Sequence, residues 1–189
     1  EISCWPPIPL FCLQAIIFRF AKIQCALFKG NDRDEFLDKK EYSGPLYEQI
    51  EEAYRFVLRH INRSAEINGL LRKERYELPV GAIREMIINA QCHRSFMDSS
   101  CVQVALFDDR LEITSPGMLY GGLTLKEAVN GRSKIRNKKL SRESIQPHGA
   151  YRRMGYGNSS HHQKSRRISA AYSRITEIGD TFRVNLFVK

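Results

Sequence analysis

The sequence ELPVGAIREMIINAQCHR, from Glu77 to Arg94, has the most regular hydrophobic pattern in this chain. Its apolar residues recur at steps of three and four, which is the period of an α-helix with one buried face. Pro79 lies at the start of the pattern, where the missing amide hydrogen of proline is harmless. The pattern predicts a helix over residues 79–94 whose buried stripe comprises Ile83, Met86, Ile87 and Ala90.

A polar ridge runs along another side of the same predicted helix. Glu85, Asn89 and His93 follow one another at steps of four, so neighbours on the ridge are about 6 Å apart. A carboxylate can serve as a general base, and a carboxamide oxygen suits a hard cation such as Mg²⁺. The plainer interpretation of this ridge is a solvated helix face.

A second helix is predicted over residues 45–61. Pro45 again suits the first helical turn, and the apolar side chains recur at the helical period. The expected stripe comprises Ile50, Ala53, Tyr54, Val57, Leu58 and Ile61.

Strand patterns surround the two helices, at residues 21–28, 102–107, 111–114 and 181–188. The middle pair is joined by Asp108-Asp109-Arg110, which predicts a β-hairpin. Less regular segments are the turn-like residues 30–41, the polar connection 62–76, which is expected to contain short extended pieces, and the glycine-rich loop 115–122. Together these patterns predict an α/β (α+β) sandwich, in which a mixed, mostly antiparallel sheet is covered on one face by the helices at 45–61 and 79–94.

Size and composition exclude several classes of protein. The chain has 189 residues, 42% of them hydrophobic, which is enough for one sizeable domain or two small ones. No run of about 18 apolar residues occurs, so we expect neither a membrane span nor a membrane partner. The five cysteines form no Cys-x-x-Cys pair, which argues against a zinc site or disulfides and favours reduced thiols in a cytoplasm.

The region after the glycine-rich loop carries the positive charge. Thr124 and Glu127 have the spacing of a capping box that begins a short helix, and Gly131 suits its end. Beyond it, between Arg132 and Arg167, Glu143 is the only acid among many lysines and arginines. This block accounts for essentially all of the chain's net charge of +9. This basic block is either a contact surface for phosphate backbones or a solvated tail.

The motifs around the polar ridge resemble one known family. They are Leu78-Pro79, the Glu-x-x-x-Asn-Ala motif that begins at Glu85, the pair His93-Arg94, the hairpin VALFDDRLEITSPGML and Gly121-Gly122-Leu-Thr. Together they resemble the RecG-related bacterial regulators, whose C-terminal part is a divergent GHKL ATPase domain, similar to that of gyrase B and the sensor histidine kinases. The resemblance runs from about residue 21 to 140 and resumes at about residue 174.

The resemblance implies a site for ATP and Mg²⁺. It makes Glu85 the base that activates water and Asn89 the magnesium ligand, and it places His93 and Arg94 near the phosphates. The loop would contact the nucleotide through Ser115, Gly117, Gly121 and Gly122. GHKL proteins carry an adenine-binding Asp where this chain has Ser115-Pro116-Gly117, so Ser115 is the nearest polar substitute.

The resemblance also implies that DNA is the partner, bound through domains outside this chain, such as an AlbA/Schlafen-type or winged-helix domain. The chain contains no G-x-x-x-x-G-K-[ST] motif, so it does not encode a P-loop helicase motor. Two other interpretations stay open. The chain is a non-enzymatic, basic nucleic-acid-binding module, or it is a degraded relative without function.

Two segments depart from the family pattern, residues 1–20 and 141–173. The family places an ATP lid with a Gly-Trp-Gly sequence in the second segment, where this chain reads HGAYRRMGYGNSSHH. A shift of one base through Arg153, Met154 and Gly155 permits Gly-Trp-Gly. The hypothesis is therefore that both segments are out-of-frame translations. The expected division is 1–20, a family-specific strand–helix region at 21–78, and the ATP-binding domain at 79–189.

Overall fold

The structure, a computed structural model, describes residues 21–68, 71–129, 134, 136–137 and 173–188. Its elements in chain order are β1 (Ile23–Phe28), β2 (Phe36–Tyr42), α1 (Leu46–His60), β3 (Arg63–Asn68), β4 (Leu71–Tyr76), α2 (Val80–His93), β5 (Val102–Leu106), β6 (Arg110–Pro116), α3 (Leu125–Val129), β7 (Ser173–Ile178) and β8 (Thr181–Phe187).

Six of these strands form one sheet in the order β2-β1-β5-β6-β8-β7, and β3 pairs with β4 in a separate hairpin. The strands β1 and β5 are parallel, with Ile23 opposite Val102. The other neighbours in the large sheet are antiparallel. The predicted mixed, mostly antiparallel sheet is therefore confirmed.

Both long helices cover the same face of this sheet. The alternate strand residues that point to that face join the helix residues in one hydrophobic core. From the strands the core includes Ile23, Cys25, Val102, Val104, Leu106, Leu111, Ile113 and Leu186. From the helices it includes Ile50, Ala53, Phe56, Val57, Ile83, Met86, Ile87 and Ala90. Because strand side chains alternate between faces, this pattern assigns the helices to one side.

The helical predictions agree with the structure to within a residue or two. All four residues of the predicted α2 stripe are buried. In α1 the stripe is shifted slightly, since Phe56 is buried while Tyr54 and Leu58 are only partly buried. Pro45 and Pro79 are the N-cap residues rather than members of the first turns. The capping box that begins α3 is also present, because the Glu127 amide donates to Thr124 Oγ1 at 3.3 Å. Its predicted end at Gly131 lies outside the described residues.

Three sequence-based assignments need correction. Residues 30–41 are not simply turn-like, because β2 begins at Phe36 and pairs with β1. The glycine-rich loop begins at Gly117, since Ser115 and Pro116 still belong to β6 and pair with β8. The strand β7 was not predicted, although the Gly179-Asp180 turn that joins it to β8 is a hairpin signal, with Gly179 at φ 56°.

The face of the sheet opposite the helices carries a network of charged side chains. Glu112 on β6 is 3% exposed and forms ion pairs with Arg33 and with Arg183, the latter at 3.4 Å. A buried carboxylate is tolerated only when cations or donors compensate it. This network therefore belongs to the architecture of the sheet.

The cysteines of the described chain are free thiols. Burial raises the pKa of Cys25, and it raises the pKa of Cys92 to about 11, so both thiols stay protonated and serve as core residues. Within the described ranges no helix is both long and apolar enough to cross a membrane.

Candidate functional site

The polar ridge of α2 faces away from the core. Asn89 is exposed, whereas Glu85 and His93 are half-buried. The Asn89 amide nitrogen donates to Glu85 Oε1 at 3.1 Å, so two ridge residues are in direct contact. This hydrogen bond engages the nitrogen of the carboxamide, and the oxygen is the atom that suits a hard cation.

The side chains of this ridge fit Mg²⁺ chemistry. Magnesium in nucleotide sites keeps several waters and binds one or two protein oxygens together with the phosphates. Asn89 supplies an exposed carboxamide oxygen, and the Glu85 carboxylate lies one turn away. In the described ranges no three His, Cys, Asp or Glu side chains gather into a metal cage. A cation at this ridge would therefore depend on phosphate oxygens for most of its ligands.

His93 lies at the last turn of α2. Burial lowers its pKa, and the positive charge of Arg136 lowers it further. Both effects favour the neutral imidazole. A negatively charged ligand nearby would act in the opposite direction, because it would stabilise the imidazolium ion.

Arg94, expected near the phosphates, lies inside the protein with 0% exposure. Its Nη2 donates to the Ser100 carbonyl at 2.6 Å, and its Nη1 donates to the Lys22 carbonyl at 3.5 Å. The guanidinium also lies 5.2 Å from the centre of the Phe96 ring. These contacts join the end of α2 to the chain entering β1 and β5, so Arg94 performs a structural task.

Ser115 lies at the end of β6, 4% exposed. Its hydroxyl donates to the Ala90 carbonyl of α2 at 2.9 Å. The hydrogen of this hydroxyl is therefore engaged within the protein. The oxygen can still accept a hydrogen bond, which is what the amino group of adenine would offer.

The glycine loop, residues 117–122, follows β6 directly. Gly117, Gly121 and Gly122 all have positive φ, between 71° and 100°. Two hydrogen bonds attach the first residues of the loop to the β7–β8 hairpin. The Gly117 amide donates to the Asp180 carbonyl, and the Leu119 amide donates to Glu177 Oε1. The loop also begins next to the end of α2, because the Ser95 backbone amide donates to the Pro116 carbonyl at 2.7 Å.

Three residues that the sequence did not assign to the site contact this loop and the end of α2. Lys134 Nζ donates to the Gly121 carbonyl, and Arg136 Nη2 donates to the Met118 carbonyl. Asn137 Nδ2 donates to the carbonyls of Cys92 and Arg94, each at 3.0 Å. The two cations were visible only as members of the basic block, and nothing in the block's composition distinguished them.

Other residues of the basic block, including Arg152, Arg153, Arg166 and Arg167, lie outside the described residues. The same holds for the segment expected to form an ATP lid, apart from Ser173 at its end.

Comparison with known proteins agrees with this architecture. Residues 99–186 match the sequence model of the family described as "Putative ATP-dependent DNA helicase recG C-terminal". The fold is similar to the crystal structure of the DIP2311 protein from Corynebacterium diphtheriae, with a TM-score of 0.71 and 20% sequence identity. That similarity covers 90% of this chain but only 35% of the solved chain. No curated protein shows significant similarity to the sequence.

Proposed function

We propose that this protein binds ATP with Mg²⁺ at the polar ridge of α2 and the glycine loop. The glycine loop lies within residues 99–186, which match the RecG-related C-terminal family model, whereas α2 precedes that match. The ridge is therefore argued from its own contacts. The observation that supports this most directly is the contact between Asn89 and Glu85 on the exposed side of a helix whose other side is core.

The proposed roles follow from the chemistry of each group. Bound magnesium neutralises phosphate charge and orients the phosphates, and the Asn89 oxygen would hold it. Glu85 would accept a proton from a water molecule as its oxygen forms a bond to the γ-phosphorus and the bond to ADP breaks. The Asn89 amide holds the Glu85 carboxylate in place for this transfer.

The proposed biological setting is a DNA-associated transcriptional regulator. The chain spans about a third of the solved protein that shares its fold. DNA contacts would come from domains beyond the sequence given, as the family resemblance implies. The P-loop motor of a helicase is not required for this role.

Substitution of Asn89 tests the proposed binding site. Asn89→Ala should weaken MgATP binding at least about tenfold, because a magnesium ligand is lost. The binding that remains should no longer depend on Mg²⁺. Isothermal titration with and without Mg²⁺ measures both effects. The matched control is Asn31→Ala, since Asn31 is also exposed but lies on the loop between β1 and β2.

Glu85→Gln separates binding from hydrolysis in the same assay. It should retain MgATP binding while any phosphate release stops, because glutamine cannot accept the proton. If Asn89→Ala binds MgATP as the unsubstituted chain does, the ridge is a solvated helix face and the proposal is wrong.

A further inference from the structure

The glycine loop carries two cations on its backbone. Lys134 Nζ donates to the Gly121 carbonyl at 2.5 Å, and Arg136 donates to the Met118 carbonyl. The Arg136 guanidinium also lies 5.4 Å from the centre of the Tyr120 ring. We call Lys134 and Arg136 the cation pair. Both side chains approach the same short loop from the chain that follows α3.

The close approach of both cations depends on glycine. A Cβ on Gly117 would lie 3.0 Å from Arg136 Nη1, and a Cβ on Gly121 would lie 3.0 Å from Lys134 Cδ. Gly117 would also meet Ser95 Cβ at 2.9 Å. Two glycines at positive φ thus each make room for one cation, so the loop and the cation pair are one packed unit.

The charges of the pair are not neutralised within the described part of the protein. Neither Lys134 nor Arg136 forms an ion pair with a described carboxylate. Glu177, which accepts from the Leu119 amide, is not within ion-pair distance of either. Arg136 Nε is buried and has no hydrogen-bond partner among the described atoms. Two cations that bind only carbonyls can still gain from a stronger, anionic acceptor.

Arg136 of the cation pair lies near the end of α2. Asn137, next to Arg136, donates to the carbonyls of Cys92 and Arg94 at the end of that helix. The charge of Arg136 also reaches His93, one turn beyond Asn89. Arg136 therefore connects the glycine loop to the His93 end of the ridge.

We propose that the cation pair binds the phosphate chain of the nucleotide, so that Lys134 and Arg136 exchange loop carbonyls for phosphate oxygens when the ligand binds. This inference rests on the proposed function and deepens it, since it makes the triphosphate the part of the ligand that the loop region recognises. Arg136 suits paired oxygens, whereas Lys134 acts as a point charge. Affinity should then rise with the number of phosphates and fall with salt.

The test measures binding of ATP, AMP and inorganic tripolyphosphate to the full chain and to a variant that combines Lys134→Gln with Arg136→Gln. The double variant should bind ATP and tripolyphosphate at least about tenfold more weakly. AMP binding should change less than about twofold, and the salt dependence of ATP binding should become shallower. The control combines Lys40→Gln with Arg55→Gln, because both residues are exposed and lie on β2 and α1.

The variant Arg136→Lys distinguishes a loss of phosphate binding from a loss of folding. It keeps the charge, so it should retain most of the tripolyphosphate affinity even if the contact with Met118 weakens. A double variant that binds ATP and tripolyphosphate like the unsubstituted chain would overturn the inference. If that happens while Asn89→Ala still weakens MgATP binding at least about tenfold, the proposed function stands without the inference.

Two further outcomes separate the two proposals. Binding of tripolyphosphate that depends on the cation pair, without preference for ATP, keeps the anion site and rejects the nucleotide function. Failure of the unsubstituted chain to bind either ligand rejects both.

Discussion

His93 occupies a position between the core of the protein and the proposed phosphate region. It is half-buried at the last turn of α2, and both burial and Arg136 lower its pKa. The unfolded chain has neither effect. The folded state therefore binds a proton at His93 less readily than the unfolded state does, which links the stability of the protein to pH.

The sign of this link gives a prediction at the residue scale. Because the folded pKa of His93 is below the ordinary value of 6.5, the unfolded state takes up more protons as pH falls through that value. The free energy of unfolding should therefore decrease from pH 7.5 to pH 5.5. In the His93→Gln variant it should decrease less steeply over the same range. Urea unfolding at several pH values measures the difference. Parallel pH profiles for the two proteins would contradict the prediction.

At the scale of elements, the end of α2 is joined to the sheet by a buried cation. Arg94 makes no contact with solvent and donates to two backbone carbonyls, one preceding β1 and one preceding β5. These two strands are the parallel pair of the large sheet. The guanidinium therefore fixes the position of the helix that carries the ridge.

Arg94→Lys tests this structural role. Lysine keeps the charge but cannot hold both carbonyls in the same geometry, so the free energy of unfolding should fall by about 2 kcal/mol. Binding of MgATP by the folded fraction should change little. Denaturant unfolding and titration at low temperature give the two values, with the exposed Arg55→Lys as a control. A large loss of affinity at unchanged stability would instead assign Arg94 to the phosphates.

At the scale of the molecule, one sheet joins both parts of the chain. The expected region 21–78 contributes β1, β2 and α1, and the expected domain 79–189 contributes the other strands of the large sheet and α2. Their side chains share one hydrophobic core. The division at residue 78 stays a prediction about sequence, and the two parts are packed as neighbours in the folded protein.

The two segments that depart from the family pattern, residues 1–20 and 141–173, lie on either side of residues 21–140. The family match ends at residue 186, so it continues beyond the segment 141–173. We propose that this segment and residues 1–20 are read out of frame. The coding sequence should then give Gly-Trp-Gly in the shifted frame through Arg153, Met154 and Gly155.

A chain with the frame restored at 141–173 should bind MgATP at least about tenfold more tightly, because lid amides hold the phosphates. A coding sequence without those codons would exclude the idea.

The two long helices, the β5–β6 hairpin and the exposed ridge could all be predicted from the amino-acid sequence alone. Their signals are local: the period of α2 separates Ile87 from Asn89 regardless of what the helix packs against. The same local period identified Glu85 and Asn89 as neighbours, and the structure brings them into contact. Their assignment to magnesium and catalysis stays a prediction that came from the family resemblance.

Features that depend on partners distant in the chain became visible in the folded protein and could not be predicted from its sequence. The strand β2 has exposed side chains such as Phe36 and Lys40, so no alternation of apolar and polar residues marks it in the sequence. It forms a strand because its backbone pairs with that of β1. The contacts of Lys134 and Arg136 with the glycine loop are likewise invisible in a basic block. Periodicity records which side of an element is buried, whereas backbone pairing and charge placement are set by residues far away in the chain.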